Sequence, residues 1–158
     1  YVHPFFGKIM KVVIQRVSSA SVSVEDEKIS SIRSGLLILL GVTKEDVEKD
    51  IDCLVKKTAG LRIFKDDRQN MNLSIKDVSG EALVVSQFTL CADTSRGRRP
   101  SFIKAANPEE AESMYQQFCE QLNVNDIPIE RGRFGAMMDV SLVNDGPVTI
   151  LLDSREKN

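Results

Sequence analysis

The sequence predicts an α+β domain, mainly antiparallel sheet with two amphipathic helices packed on it. Three observations carry that reading. Short runs rich in Val, Ile and Leu recur from residue 11 to residue 152, several with period-two alternation. Only two segments carry the spacing of a helix with one buried stripe. The 158 residues, 42% hydrophobic and 28% charged, suffice for one core, and no repeat or composition shift marks a second domain.

Residues 1–9, YVHPFFGKI, flow into no element. Met10 reads as a native start, so this stretch is set aside as an upstream extension or expression remnant; the domain runs 10–154, and 155–158 is a frayed tail. KVVIQRV, 11–17, is a strand. SVSVE, 21–25, alternates as a half-buried strand does, and Asp26 and Glu27 lead to a return strand through Ile29. Gly35 opens LLILLGV, apolar throughout and therefore central, buried on both faces. Thr43 can cap a helix with Asp46 at its third position; Val47, Ile51, Leu54, Val55 and Thr58 form the apolar face and Gly60 ends it. KDDRQNMNLS is an exposed loop or small hairpin.

EALVVSQFTL, 81–90, is the next apolar strand. Asn107, Pro108, Glu109 and Glu110 start the second helix, with cap, first-turn proline and acids set against the dipole. Its buried stripe is Ala111, Met114, Tyr115, Phe118 and Leu122. A short strand at 127–130 precedes GRFGA, a turn whose glycines permit positive φ or a close approach. Residues 138–143 and 148–152 alternate, and the intervening NDGPVT reads first as a tight turn at Asp145 and Gly146. Pro147 is awkward there. It removes a donor at a strand mouth and restricts Gly146 before it.

The formal charge of −2 argues against a broad basic nucleic-acid surface and leaves room for a local one. SRGRRPS gathers Arg96, Arg98 and Arg99 in one loop, either a solvated face or a contact for a few phosphates. Cys53, Cys91 and Cys119 have neither disulfide nor zinc spacing, which fits a reducing compartment. No run reaches membrane-spanning length. The chain's one histidine, His3, lies in the upstream stretch, so the domain has no Ser-His-Asp triad, Cys-His pair or His-bound metal. Thr89 lacks a base to make it a nucleophile. Ser86 and Thr89 either satisfy backbone groups while Phe88 fills the core, or line a pocket with Gln87. Met137 and Met138 read as core, or as one pocket wall.

MKVVIQRV, LVVSQFTL, RGRRPSF, GRFGA and SLVNDGPVT, in this order and spacing, resemble the D-aminoacyl-tRNA deacylases, also called D-tyrosyl-tRNA deacylases. The resemblance runs from Met10 to about Ser154 and is most specific in SQFTL at 86–90 and NxGPVT at 144–149. It implies a proofreading enzyme that hydrolyses the ester of D-aminoacyl-tRNA, and of glycyl-tRNA mischarged on tRNA-Ala, without metal or cofactor. It implies a cytoplasmic homodimer, with no membrane, whose active sites lie at the subunit interface and take the aminoacyl-tRNA 3' end. Gly146 and Pro147 are then a cis pair entering the partner's site, crowding the side where an L side chain would sit, with Arg16 bracing them. Phe88 and Thr89 supply backbone and hydroxyl contacts at the scissile group, the ribose 2'-hydroxyl assists water, and Ser86, Gln87, Met138 and Asn144 bind substrate. Arg96, Arg98 and Arg99 are candidate tRNA contacts, with the partner subunit and solvent as the other readings of that loop. The alternative is a non-catalytic module that binds the aminoacyl-tRNA 3' end.

Overall fold

The computed structural model describes residues 9–155; the upstream stretch except Ile9, and the tail after Arg155, lie outside that range. Strand β1 (Lys11–Val24) is continuous where the sequence suggested two pieces. Its first half pairs antiparallel with β3 (Gly35–Gly41) and its second half with β2 (Glu27–Ile32), along one edge. The β1–β2 hairpin turns at Glu25 and Asp26, with φ of 51° and 64°. Positive φ at both central residues matches the twist of a two-residue hairpin.

Two parallel pairs follow, which the antiparallel expectation did not specify: β3 with β6 (Glu81–Ser86), and β6 with β7 (Ile129–Arg131). Parallel neighbours need crossovers, and the two helices are those crossovers. Helix α1 (Glu48–Gly60) and the small hairpin of β4 (Phe64–Lys65) and β5 (Met71–Leu73) join β3 to β6; α2 (Pro108–Val124) joins β6 to β7. The last strand, β8 (Asp139–Asp153), runs antiparallel along the other edge of β1.

Val12, Ile14, Leu36, Ile38, Leu40, Ala82 and Val84 face Ile51, Leu54 and Val55 of α1 and Tyr115, Phe118 and Leu122 of α2. A second cluster gathers Val17, Ala20, Val22, Ile32, Leu37, Leu83 and Val85 on the opposite side. Burial on both faces explains why β3 and β6 are apolar at successive positions, not at alternate ones. The irregular β1–β8 register around residues 17–19 lets β1 serve both clusters.

The helix starts differ from each other. Asn107 Oδ1 accepts the Glu110 amide at 2.9 Å, and Pro108 occupies the first turn, as the sequence predicts for α2. For α1 the expected cap is displaced. Thr43 and Asp46 close a separate turn, with Asp46 Oδ2 accepting the Thr43 amide at 2.6 Å, and the helix begins at Glu48, where Asp50 accepts the Val47 amide. Asp46 Oδ1 also accepts the Met10 amide at 2.9 Å, so this buried carboxylate ties the start of β1 to the turn after β3.

Candidate active site

No hairpin turn forms at NDGPVT; the chain stays in β8. Gln15 pairs with Thr149 and Val17 with Asn144, leaving residues 145–148 as an excursion opposite Arg16 alone. Asp145, Gly146 and Pro147 are exposed on it. The Gly146–Pro147 peptide is cis, and Gly146 has φ +126°, a region side chains avoid.

The excursion is held from both ends. Asn144 Oδ1 accepts the Val148 amide at 2.8 Å, and its Nδ2 donates to the Val148 carbonyl at 3.2 Å and to Thr149 Oγ1 at 3.4 Å. Those contacts all lie within its own strand, so the geometry makes Asn144 a clasp. Gln15 Nε2 reaches the same Thr149 hydroxyl at 3.4 Å. From the inner side Arg16, 3% exposed, donates Nε to the Asp145 carbonyl at 3.1 Å and Nη1 to the Ile63 carbonyl at 2.6 Å. A Cβ on Gly146 would sit 2.6 Å from Arg16 Nη2, which is why this position takes glycine.

The SQFT group ends β6 differently from expectation. The strand stops at Ser86, and residues 88–91 wind into a single 3-10 turn, Phe88–Cys91. The cause is local: the Gln87 amide still bonds Leu40 across the sheet at 2.8 Å, and the Leu90 amide then turns back to the Gln87 carbonyl at 3.1 Å. The turn lifts Phe88 and Thr89 out of the core. Phe88 is exposed and meets the Phe102 ring edge-on at 5.0 Å, beside exposed Ile103. As the first residues of the turn, Phe88 and Thr89 have amides without intrahelical acceptors.

Gln87 Nε2 donates to Thr89 Oγ1 at 2.7 Å. The hydroxyl therefore takes a proton donor where a nucleophile would need a base, and its own proton is left to donate outward. Cys91 lies beneath, 3% exposed, its thiol donating to the Val42 carbonyl at 3.4 Å. Burial pushes that thiol above its ordinary value, so no thiolate is on offer either. Among the described residues no three His, Cys, Asp or Glu side chains gather as metal ligands.

Met138 is half-buried against the second core cluster; its Sδ accepts the Arg133 amide at 3.4 Å. Gly132 faces it so closely that a Cβ would lie 2.8 Å from that sulfur and 3.6 Å from Val85. Arg96, Arg98 and Arg99 ride a separate tip, exposed. Its base is closed by two backbone bonds between Asp93 and Ser101, at 2.8 and 2.9 Å. Ser95 hydroxyl and amide bonds to Asp93, followed by the nearby Lys104 at 3.5 Å, hold that carboxyl down to about 2. Phe102, Ile103 and Asp145 carry no sequence signal for these places, because loop folding and strand pairing set them.

The two motif regions do not meet within the chain's paired strands. Ser86 aligns with Leu40, Val12 and Leu152, while the excursion aligns with Arg16, Leu36 and Ala82. Three strand spacings and four residues of register separate them, on the order of 15–20 Å along the sheet.

A family model described as D-Tyr-tRNA(Tyr) deacylase matches residues 13–153. A relative from Exiguobacterium sp., named D-aminoacyl-tRNA deacylase, is 57% identical over 144 residues, covering 91% of this chain and 98% of its own. Relatives of the same name from Bacillus pumilus and Thermotoga petrophila are 54% and 53% identical, covering 93% and 92% of this chain and 100% and 97% of theirs. The solved structure of the c-Myc DNA Unwinding Element Binding Protein matches with TM-score 0.85 at 43% identity, over 90% of this chain and 97% of that one. A probable eukaryotic D-amino acid tRNA deacylase shares the fold, with TM-score 0.78 at 16% identity over 92% and 99%.

Proposed function

The chain belongs to the D-aminoacyl-tRNA deacylase family, ester hydrolases that act on D-aminoacyl-tRNA, and from that premise we propose how its own residues do the work. The exposed, arginine-braced excursion at Gly146 and Pro147 carries the reading. Its fixed backbone enters the site of a second copy and occupies the space an L side chain would need, so D-aminoacyl and glycyl esters are admitted. Exclusion by a rigid backbone discriminates by clash, without any pocket for the amino-acid side chain.

In the receiving copy, the amides of Phe88 and Thr89 face the scissile carbonyl and stabilise the developing oxyanion. Thr89, already accepting from Gln87, donates its hydroxyl proton to the substrate. Ser86 and Gln87 floor the site and Met138 lines it. The ester is activated and the ribose 2'-hydroxyl stands beside it, so positioning of that hydroxyl and a water replaces a side-chain base. The separation of the two motifs within one chain favours a homodimer, since each site then takes one motif from each copy. Val143 and Leu151 of β8, together with Phe88 and Met137, are among the exposed apolar side chains available for such an interface. The cytoplasm suits this substrate and the three free cysteines.

Release of amino acid from matched D- and L-aminoacyl-tRNA, and from glycyl-tRNA-Ala, tests this. Wild type is expected to release D-amino acid and glycine but not L-amino acid. Thr89→Ala should keep part of that rate, because the hydroxyl assists without attacking. A trapped acyl-enzyme on wild type, lost in Thr89→Ala, would make Thr89 the nucleophile instead. Tight binding of aminoacyl-tRNA with no release from any ester would leave only a 3'-end binding module.

A further inference from the structure

NxGPVT leaves one position open, and here it holds Asp145. That residue faces the buried Arg16, whose guanidinium donates to the carbonyls of Asp145 and Ile63. Carbonyls satisfy its N–H groups without neutralising its charge, and a buried cation is best accommodated beside a counter-charge. Among the described residues the carboxylate in ion-pair range is Asp145 Oδ2, 3.3 Å from Nε.

We propose that Asp145 is a positioning residue for stereochemical discrimination, its carboxylate holding Arg16 in the one orientation that fixes the Gly146 backbone. The geometry is a triangle. Nε is shared between the carbonyl and the carboxylate of residue 145, which registers the guanidinium on the excursion itself. Nη1 is anchored on Ile63, just before β4, so rotation about Nε is blocked. Nη2 then lies against Gly146, where even a methyl group would be at 2.6 Å. Release of the carboxylate frees the guanidinium to pivot on Ile63, and the backbone it abuts moves with it. The Asp145 side chain is 52% exposed, so the ion pair is a minor contributor to folding and its effect is on placement.

This inference rests on the proposed filter, and the experiment separates the two. The full chain and its Asp145→Asn, Asp145→Ala and Asp145→Glu variants are assayed on D- and L-tyrosyl-tRNA, with kcat/KM measured for each. A filter displaced by a fraction of an ångström lowers the D-over-L ratio, by about tenfold to a hundredfold in the Asn and Ala variants. Asp145→Glu should recover much of the ratio, since the half-exposed site leaves room for a longer carboxylate to reach Nε. A merely structural role would reduce the active fraction and leave the ratio untouched. Wild-type selectivity with an unchanged ratio in Asn and Ala overturns the role of Asp145 alone. Absence of D-selectivity in wild type overturns the filter and this inference together.

Discussion

Asp46 is 7% exposed, and its carboxylate accepts the amides of Met10 and Thr43. Loss of solvent outweighs those bonds and pushes its pKa from 3.8 up to about 6. Between those values the folded chain keeps a proton that the unfolded chain gives up. Stability therefore falls as pH rises through that window, by about 3 kcal/mol in all, and levels off above it. Asp46→Asn removes the titration. In denaturant unfolding from pH 4.5 to 7, the stability of wild type minus that of Asp46→Asn should decline with pH. The carboxyls of Asp66, Asp77 and Asp93, whose values are lowered, act oppositely in both proteins and cancel in that difference. Parallel curves would show that Asp46 ionises freely in the fold. The residue matters to the site because its turn adjoins Val42, whose carbonyl accepts both the Cys91 thiol and the Ala106 amide and so ties the turn to the residues that follow Phe88 and Phe102.

At the scale of elements, the arginine tip is an exposed loop closed by the Asp93–Ser101 bridge on an otherwise weakly acidic chain. Three guanidinium groups on an exposed turn can neutralise phosphates without reading a base. Arg98→Ala with Arg99→Ala should weaken tRNA binding by one factor for every D-aminoacyl species. The slope of log affinity against log salt should flatten by one to two units, about one per lost phosphate contact. Equal affinity and equal slope at low and moderate salt would remove the tip from the binding surface. Both helices were legible from a 3.6-residue stripe, and the start of α2 from its Asn-Pro-Glu-Glu run, because these are local signals; the polar Asp/Asn run of the first crossover left an exposed loop or a small hairpin open, and the hairpin forms. The end of β6 was not. EALVVSQFTL still places Phe88 and Leu90 after its apolar run, as a continuing strand would, and only the cross-strand bond from Gln87 to Leu40, followed by the turn back from Leu90, stops the strand at Ser86. The same holds for NDGPVT: its composition says turn, whereas pairing along β1 on both sides forces a bulge. Arg16 was readable as a brace only through the family resemblance, since nothing in KVVIQRV distinguishes a buried arginine from an exposed one.

For the whole molecule, the distance between the motifs has a consequence that no single-chain property reproduces. If each site takes the turn at Phe88 from one copy and the excursion at Gly146 from the other, two different defects should complement. Gly146→Val places a branched side chain against Arg16 at a φ of +126°, and so displaces the excursion. Phe88→Asp removes the ring that meets Phe102 and puts a negative charge where an oxyanion develops. Each homodimer alone should lose D-aminoacyl release. Subunit exchange at equal amounts makes half the population mixed, and each mixed dimer holds one site with both halves intact. Activity should then return to about a quarter of wild type. Native mass spectrometry reports the exchange independently of activity. Mixed dimers in their expected proportion with no recovered release would mean that both halves of a site come from one chain, against the separation along the sheet. Recovery above the level of the parents, rising with the mixed fraction and absent in mixtures kept from exchanging, would make the dimer itself the catalytic unit.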